Sequence, residues 1–132
     1  MAIDSQQEKL REVFDKACQE WNAAKYDELA KRFDVDIIMK KLDDPGSVSG
    51  IGNVLVYLNK NQAPKRPKFT PHTVETPIIW GHNTIGQISG TANYLDKEGD
   101  SESVPVRFTF TFVRTDGDED WLMINAFQAR SK

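Results

Sequence analysis

Most side chains of this 132-residue chain that have the right type for chemistry stand at the wrong spacing for it. Asp116, Asp118 and Asp120 alternate as the first ligands of a calcium loop do, but Trp121 occupies the place that needs glycine and Phe127 the place that needs a bidentate glutamate. The segment reads as a hairpin turn. His72 and His82 are the only histidines, one flanked by Pro71 and one in the turn Gly81-His82-Asn83, with no cysteine or carboxylate at the short spacing of a zinc site. No metal is expected. Gly50 and Gly52 lack the preceding strand and the third glycine of a dinucleotide fingerprint, so no cofactor is expected either. Cys18, the single cysteine, cannot form an intramolecular disulfide and lies in a helical apolar stripe, as a packed thiol does.

Three sets of residues remain that suit binding. Trp21, Tyr57 and Trp80 are large aromatics that either line a cavity or fill a core. Asn125 alternates with apolar neighbours near the C-terminus, and a buried amide needs a partner, which is ligand, water or protein. Lys60, Lys65, Arg66 and Lys68 form a basic cluster in a proline-rich stretch. It reads as a solvated loop, and at the mouth of a pocket it would draw in anionic ligands.

The elements that must position these residues follow from periodicity. Leu10, Val13, Phe14, Ala17, Cys18 and Trp21 form one buried helical stripe, with Ser5 and Glu8 at capping-box spacing. Tyr26, Leu29, Ala30 and Phe33 mark a second, short helix, and Val35 to Leu42 favours a strand through Ile37, Ile38 and Met39. A third helix opens near Gly50 with Ser49 as its candidate N-cap, followed by a loop from Asn59 to Pro71. From Phe69 onward, extended segments separated by turn residues predict a four-stranded meander. In one of them Phe108, Phe110 and Phe112 alternate with Arg107, Thr109, Thr111 and Val113. In the last, Trp121, Met123, Asn125 and Phe127 alternate with Leu122, Ile124, Ala126 and Gln128, so both faces are substantially apolar.

Length and composition bound the rest. The chain suits one domain over residues 1–132. A net charge of -3 supplies no broad positive field, so nucleic acid is not an expected partner. No apolar run approaches the roughly 20 residues that cross a bilayer, and Met1 to Leu10 lacks the apolar core of a secretory signal, so a cytoplasmic protein without membrane association is expected.

The order helix, helix, strand, helix, meander resembles the nuclear transport factor 2-like superfamily. The helix ending at Trp21, the short helix through Tyr26 to Phe33, Gly50 opening the third helix, and Phe112 to Trp121 enclosing an acidic glycine turn resemble its SnoaL-like branch. The resemblance implies an α+β fold, three N-terminal helices packed on a strongly curved, cone-shaped antiparallel sheet. It leaves the reaction open, because the superfamily contains isomerases, dehydratases, cyclases and noncatalytic binding or association domains. In the isomerase branch a carboxylate near the end of the first strand is the general base. Counting from Phe33 puts Lys41 there, whereas anchoring on Asp44-Pro45 puts Asp44 there. An odd shift reverses the face, so Asp44 enters a pocket only through a bulge. The counterpart of the second carboxyl falls near Thr111, so the isomerase set is not reproduced.

The expectation is therefore a homodimeric domain that binds a small apolar or anionic molecule, with Phe14, Trp21, Met39, Tyr57, Trp80, Phe110, Phe112, Met123, Asn125 and Phe127 around the pocket. The outer face of the sheet, Thr109, Thr111, Val113, Leu122, Ile124 and Ala126, is expected at the dimer interface. The rivals are an isomerase, dehydratase or cyclase acting on a polycyclic or polyketide-like substrate, with Lys41 or Asp44 as base and Asn125 or Tyr57 as donor, and a pure association module whose cone is filled by its own side chains.

Overall fold

Helix α1 (Ser5–Asn22) buries Leu10, Phe14, Ala17 and Cys18 on one stripe, as its spacing requires. The computed structural model describes residues 4–40, 46–114 and 120–131. The helix is capped by Asp4 rather than Ser5: Asp4 Oδ1 accepts from the Gln7 backbone N–H at 2.9 Å, and Gln7 Oε1 accepts from the Asp4 N–H at 2.9 Å. The box stands one residue earlier than expected because glutamine closes it as well as glutamate does. Ala24, with φ of 57°, turns the chain into helix α2 (Tyr26–Ala30).

Phe33 does not belong to that helix. It starts strand β1 (Phe33–Lys40), because the Arg32 carbonyl accepts from the Met123 N–H at 2.7 Å and so opens the pairing with the last strand. A tertiary partner overrides the local apolar stripe. β2 (Ser47–Ser49) then pairs antiparallel with β1, which leaves Ser49 in a strand and places Gly50, at φ of 86°, as the cap of helix α3 (Ile51–Tyr57). α3 runs on into a π turn over Leu58–Gln62, where a loop was expected.

The remaining strands are β3 (Lys68–Val74), β4 (Ile78–Trp80), β5 (Ile85–Leu95), β6 (Val104–Val113) and β7 (Leu122–Arg130). The sheet runs β2-β1-β7-β6-β5-β3, and β4 also pairs with β5, so β3 and β4 form one edge in two pieces. All pairings are antiparallel except β1 with β7, so the sheet is mixed rather than wholly antiparallel. Its curvature is built at irregularities, between Pro71 and Thr73 in β3 and between Phe33 and Ile38 in β1.

A third irregularity changes which residues face inward. Phe112 pairs with Met123 and Thr111 with Asn125, so Ile124 is an extra residue in β7. Beyond it Ala126 pairs with Phe110 on the inner face, while Asn125 and Phe127 pair with Thr111 and Thr109 on the outer one. The helices cover the inner face, with Leu10, Phe14, Val54 and Leu58 packed on Ile88, Val106, Phe108 and Phe112 in one continuous core. Among the described residues no helix is long and apolar enough to cross a membrane.

Candidate functional site

The helices and the inner face of the sheet leave a cavity of about 80 Å³ between them. α1 contributes Ala17, Cys18 and Trp21, and α2 contributes Leu29. β1 supplies Phe33, Met39 and Lys40; α3 supplies Tyr57. The sheet completes the wall with Phe69, Tyr94, Phe110, Met123, Ala126 and Gln128. That is well below the roughly 300–1,000 Å³ of pockets that enclose drug-sized ligands.

Two contacts hold the walls at their spacing. Asn22 at the end of α1 accepts the Phe69 backbone N–H on Oδ1 at 2.7 Å and donates Nδ2 to the Phe69 carbonyl at 2.8 Å, which fixes Trp21 relative to β3. Phe69 in turn meets Phe110 with ring centroids 5.6 Å apart, and Phe110 meets Phe108 at 5.1 Å. These offset aromatic contacts stiffen the floor.

The polar atoms around this apolar space are incompletely satisfied. Trp21 Nε1 and Gln128 Oε1, both on lining residues, are buried without a hydrogen-bond partner. Tyr26 meets the Trp21 ring edge-on at 5.8 Å between centroids, and its hydroxyl is likewise buried and unpartnered. Gln62, at the end of the π turn and 4% exposed, donates Nε2 to the Tyr57 hydroxyl and leaves its own Oε1 unpartnered. The Cys18 thiol and the Tyr26 and Tyr94 phenols are held neutral. Burial, reinforced by Asp15 and opposed by Arg11, pushes the Cys18 thiol up to about 12. Burial also raises Tyr94 well above the usual phenol range, with Asp96, Tyr57 and Tyr26 adding to it. Tyr26 is raised by burial and drawn back by Arg66.

Of the residues expected around the pocket, Trp21, Met39, Tyr57, Phe110 and Met123 line the cavity. Phe14 and Phe112 are fully buried in the core outside that lining. Trp80 stands on the edge strand β4 and is 45% exposed. Asn125 and Phe127 are turned to the outer face by the extra residue Ile124, and for the same reason Ala126, expected at a dimer interface, is buried against the cavity. Thr109, Thr111, Val113 and Leu122 keep the outer face by their pairing. Lys41 and Asp44 lie outside the described residues, as do Asp116 and Asp118. Four of the nine lining residues that sequence reasoning missed have a plain reason. Ala17 and Cys18 share the Trp21 stripe and were available to it; Ala126 and Gln128 were hidden by the bulge.

Three members of the basic cluster are spent on neighbouring acids. Lys65 stands 3.5 Å from Asp96, and Arg66 and Lys68 stand 3.6 and 3.9 Å from Glu98, both acids being at the end of β5. A larger cleft of about 370 Å³ lies along α1 and α2, but its rim mixes Lys9, Lys16, Lys31 and Arg32 with Glu12, Glu28 and Asp120. It has neither an apolar floor of any extent nor one sign of charge. Among the described residues no three His, Cys, Asp or Glu side chains are grouped to hold a metal.

No protein-family model matches the chain, and no curated protein does. Solved structures do. A candidate dehydratase of the NTF2-like family from Streptomyces avermitilis superposes with a TM-score of 0.80 at 16% identity, over 98% of this chain and 99% of that one. An uncharacterised protein with a cystatin-like fold from Caulobacter vibrioides gives a TM-score of 0.80 at 12% identity, over 98% and 92%. A Catenulispora acidiphila structure in complex with S-DNPA gives 0.65 at 16% identity, over 92% and 90%. At such identities the likeness establishes the architecture: the chain has the NTF2-like, cystatin-like fold.

Proposed function

We propose that this chain is a single cytoplasmic domain that binds a small, largely apolar molecule in its cone and works as a homodimer. The observation that carries the binding reading is the cavity itself, bounded by the helices and the inner face of the sheet with a largely apolar lining. Concave apolar spaces of this kind are where small molecules bind. The reading is supported by the Catenulispora structure of similar fold, which is in complex with S-DNPA. Dimerisation is supported by the outer face, which carries Val113 and Leu122 at one end and, beyond the Thr111–Asn125 row, Phe127, which is 40% exposed.

The test is native mass spectrometry of the freshly purified protein, followed by denaturation and identification of any released molecule. A small apolar compound in stoichiometric amount is the expected result. Protein free of any such molecule that also leaves Trp21 fluorescence unchanged by every single-ring compound tried sinks the reading.

A second reading is a dehydratase or isomerase acting on a small substrate. It is favoured by Lys40, a cationic side chain that lines the cavity at the end of β1. Lys41 or Asp44 would act as base, within about 3 Å of the proton it removes. Turnover that survives loss of both residues excludes this reading.

A further inference from the structure

Among the described residues, three of the five large apolar side chains that stand exposed share one surface: Ile78, Trp80 and Phe127, at 58%, 45% and 40% exposure. Strand pairing puts them there, because residues opposite one another in a ladder share a face. Ile79 pairs with Gly86 and packs against the core, so Ile78 and Trp80 on either side of it point outward with their partners Gln87 and Ile85. From that edge the rows run across the sheet. Trp80 and Ile85 continue into Val113 and Leu122, and Ile78 and Gln87 continue into Thr111 and Asn125. The next row carries Ser89, Thr109 and Phe127. Apolar side chains thus flank a polar but uncharged row, and none of these residues is an acid or a base. The first charge met along β6 is Arg107, exposed, one row further on.

We infer that Trp80 and Ile78 on the edge strand β4 anchor a twofold contact in which a second copy of this chain lays the same sheet face on this one. This rests on the homodimer reading above and deepens it, since the β4 edge joins the contact and supplies its most exposed side chains. A twofold contact sets a patch against itself, so a patch without charge meets its copy without repulsion, whereas a partner recognised by charge finds nothing here to pair with. The extent of the face also suits a second copy. At about 4.8 Å between strands and 3.4 Å per residue, the columns β4, β5, β6, β7 and β1 and the ten residues of β6 make a face of about 24 by 34 Å, the size of the roughly 800 Å² that each partner of a stable complex covers. Within it Trp80 has the largest apolar side chain, and tryptophan is the residue type most enriched among those that carry binding energy.

The experiment is analytical ultracentrifugation of the parent and of variants at micromolar concentration, with circular dichroism to check folding. Trp80→Ser and Ile78→Ser are each expected to weaken the dimer at least about tenfold, and the double variant to sediment as monomer. Val35→Ser is the control: Val35 is 65% exposed but lies on the irregular stretch of β1, outside these rows, and its variant should sediment as the parent does. A second measurement needs no assembled variant. In nitrogen-edited NMR the Trp80 indole N–H, assigned by its absence from Trp80→Phe, should shift as the parent dimer is diluted apart. A double variant that remains a dimer, a Trp80 signal that dilution leaves in place, or an equal loss in Val35→Ser overturns the anchor assignment; if Phe127→Asp is then monomeric, the homodimer reading stands without it. A parent that is monomeric, or a dimer that survives all of these substitutions, overturns the outer-face dimer and this inference with it.

Discussion

Gly90 of β5 lies so close beneath the Thr73 carbonyl of β3 that a Cβ on it would stand 1.9 Å from that oxygen and 3.1 Å from the Phe108 ring. The approach sits beside the irregularity in β3, where Thr73 pairs with Thr91 and Val74 with Gly90. Only a residue without a side chain lets the edge strand fold over β5 at this point.

Gly90→Ala is therefore expected to cost about 3 kcal/mol, since carbonyl and strand must both move. Gly52→Ala in α3 meets nothing within 4 Å and should stabilise by about 0.5–1 kcal/mol through helix propensity. Chemical denaturation of the pair checks both signs. Equal stability of the two variants would mean the sheet edge yields freely.

Arg32 forms a forked pair with Glu20, Nε to Oε1 at 2.6 Å and an Nη to Oε2 at 3.0 Å, with both side chains less than a third exposed. The hydrogen bond to Glu20 raises Arg32 further, against the opposing effect of burial. The pair ties α1 to the residue whose carbonyl receives Met123. Glu20→Gln should lose about 1–2 kcal/mol, with the β1–β7 amides exchanging faster than those of β5–β6. Uniform exchange throughout the sheet would contradict a local role.

Stability should fall at alkaline pH. The Cys18 thiol, 9.0 when unperturbed, is pushed up to about 12 in the folded chain, so unfolding releases its proton at any pH between the two. Its contribution is complete below pH 9.0, declines as pH rises above that value, and is gone by about 12. Cys18→Ala removes this component and leaves that of Tyr94, which is raised in the same sense. The stability difference between parent and variant should be flat at neutral pH and shrink above 9.0; a difference that stays constant to pH 11 would refute the shift. At neutral pH the native thiol should also alkylate far more slowly than the unfolded one.

Phe127→Asp places a charge on the outer face of β7 without touching the cavity. If that face is the dimer interface, sedimentation at micromolar concentration should show the parent as dimer and the variant as monomer, both folded. A parent that sediments as monomer removes the proposal.

Much of the architecture was legible because some segments obey a single period. The α1 stripe from Leu10 to Trp21 and the Phe108, Phe110, Phe112 alternation needed no distant partner to be read. Phe33 was misread because its apolar spacing also continued a helix, and only Met123, ninety residues on in the chain, decides for a strand. The site suffered from one residue. Alternation carried through Ile124 without interruption puts Asn125 and Phe127 inward, whereas the bulge exchanges them for Ala126 and Gln128. The π turn that sets Gln62 against Tyr57 was hidden for a like reason, since proline and lysine beyond it suggested a loop.

The lone parallel pairing, β1 against β7, has a consequence for how the molecule comes into being. β1 leaves the ribosome early and must wait for β7 before it has its long neighbour, with only the short hairpin to β2 in the meantime. Closing so distant a contact is slow, and an apolar strand such as Ile37-Ile38-Met39 waits unprotected until then. A nascent chain stalled before Leu122 should thus be a client for chaperones, and one released just beyond Arg130 should gain protease resistance only slowly, as β7 docks on β1.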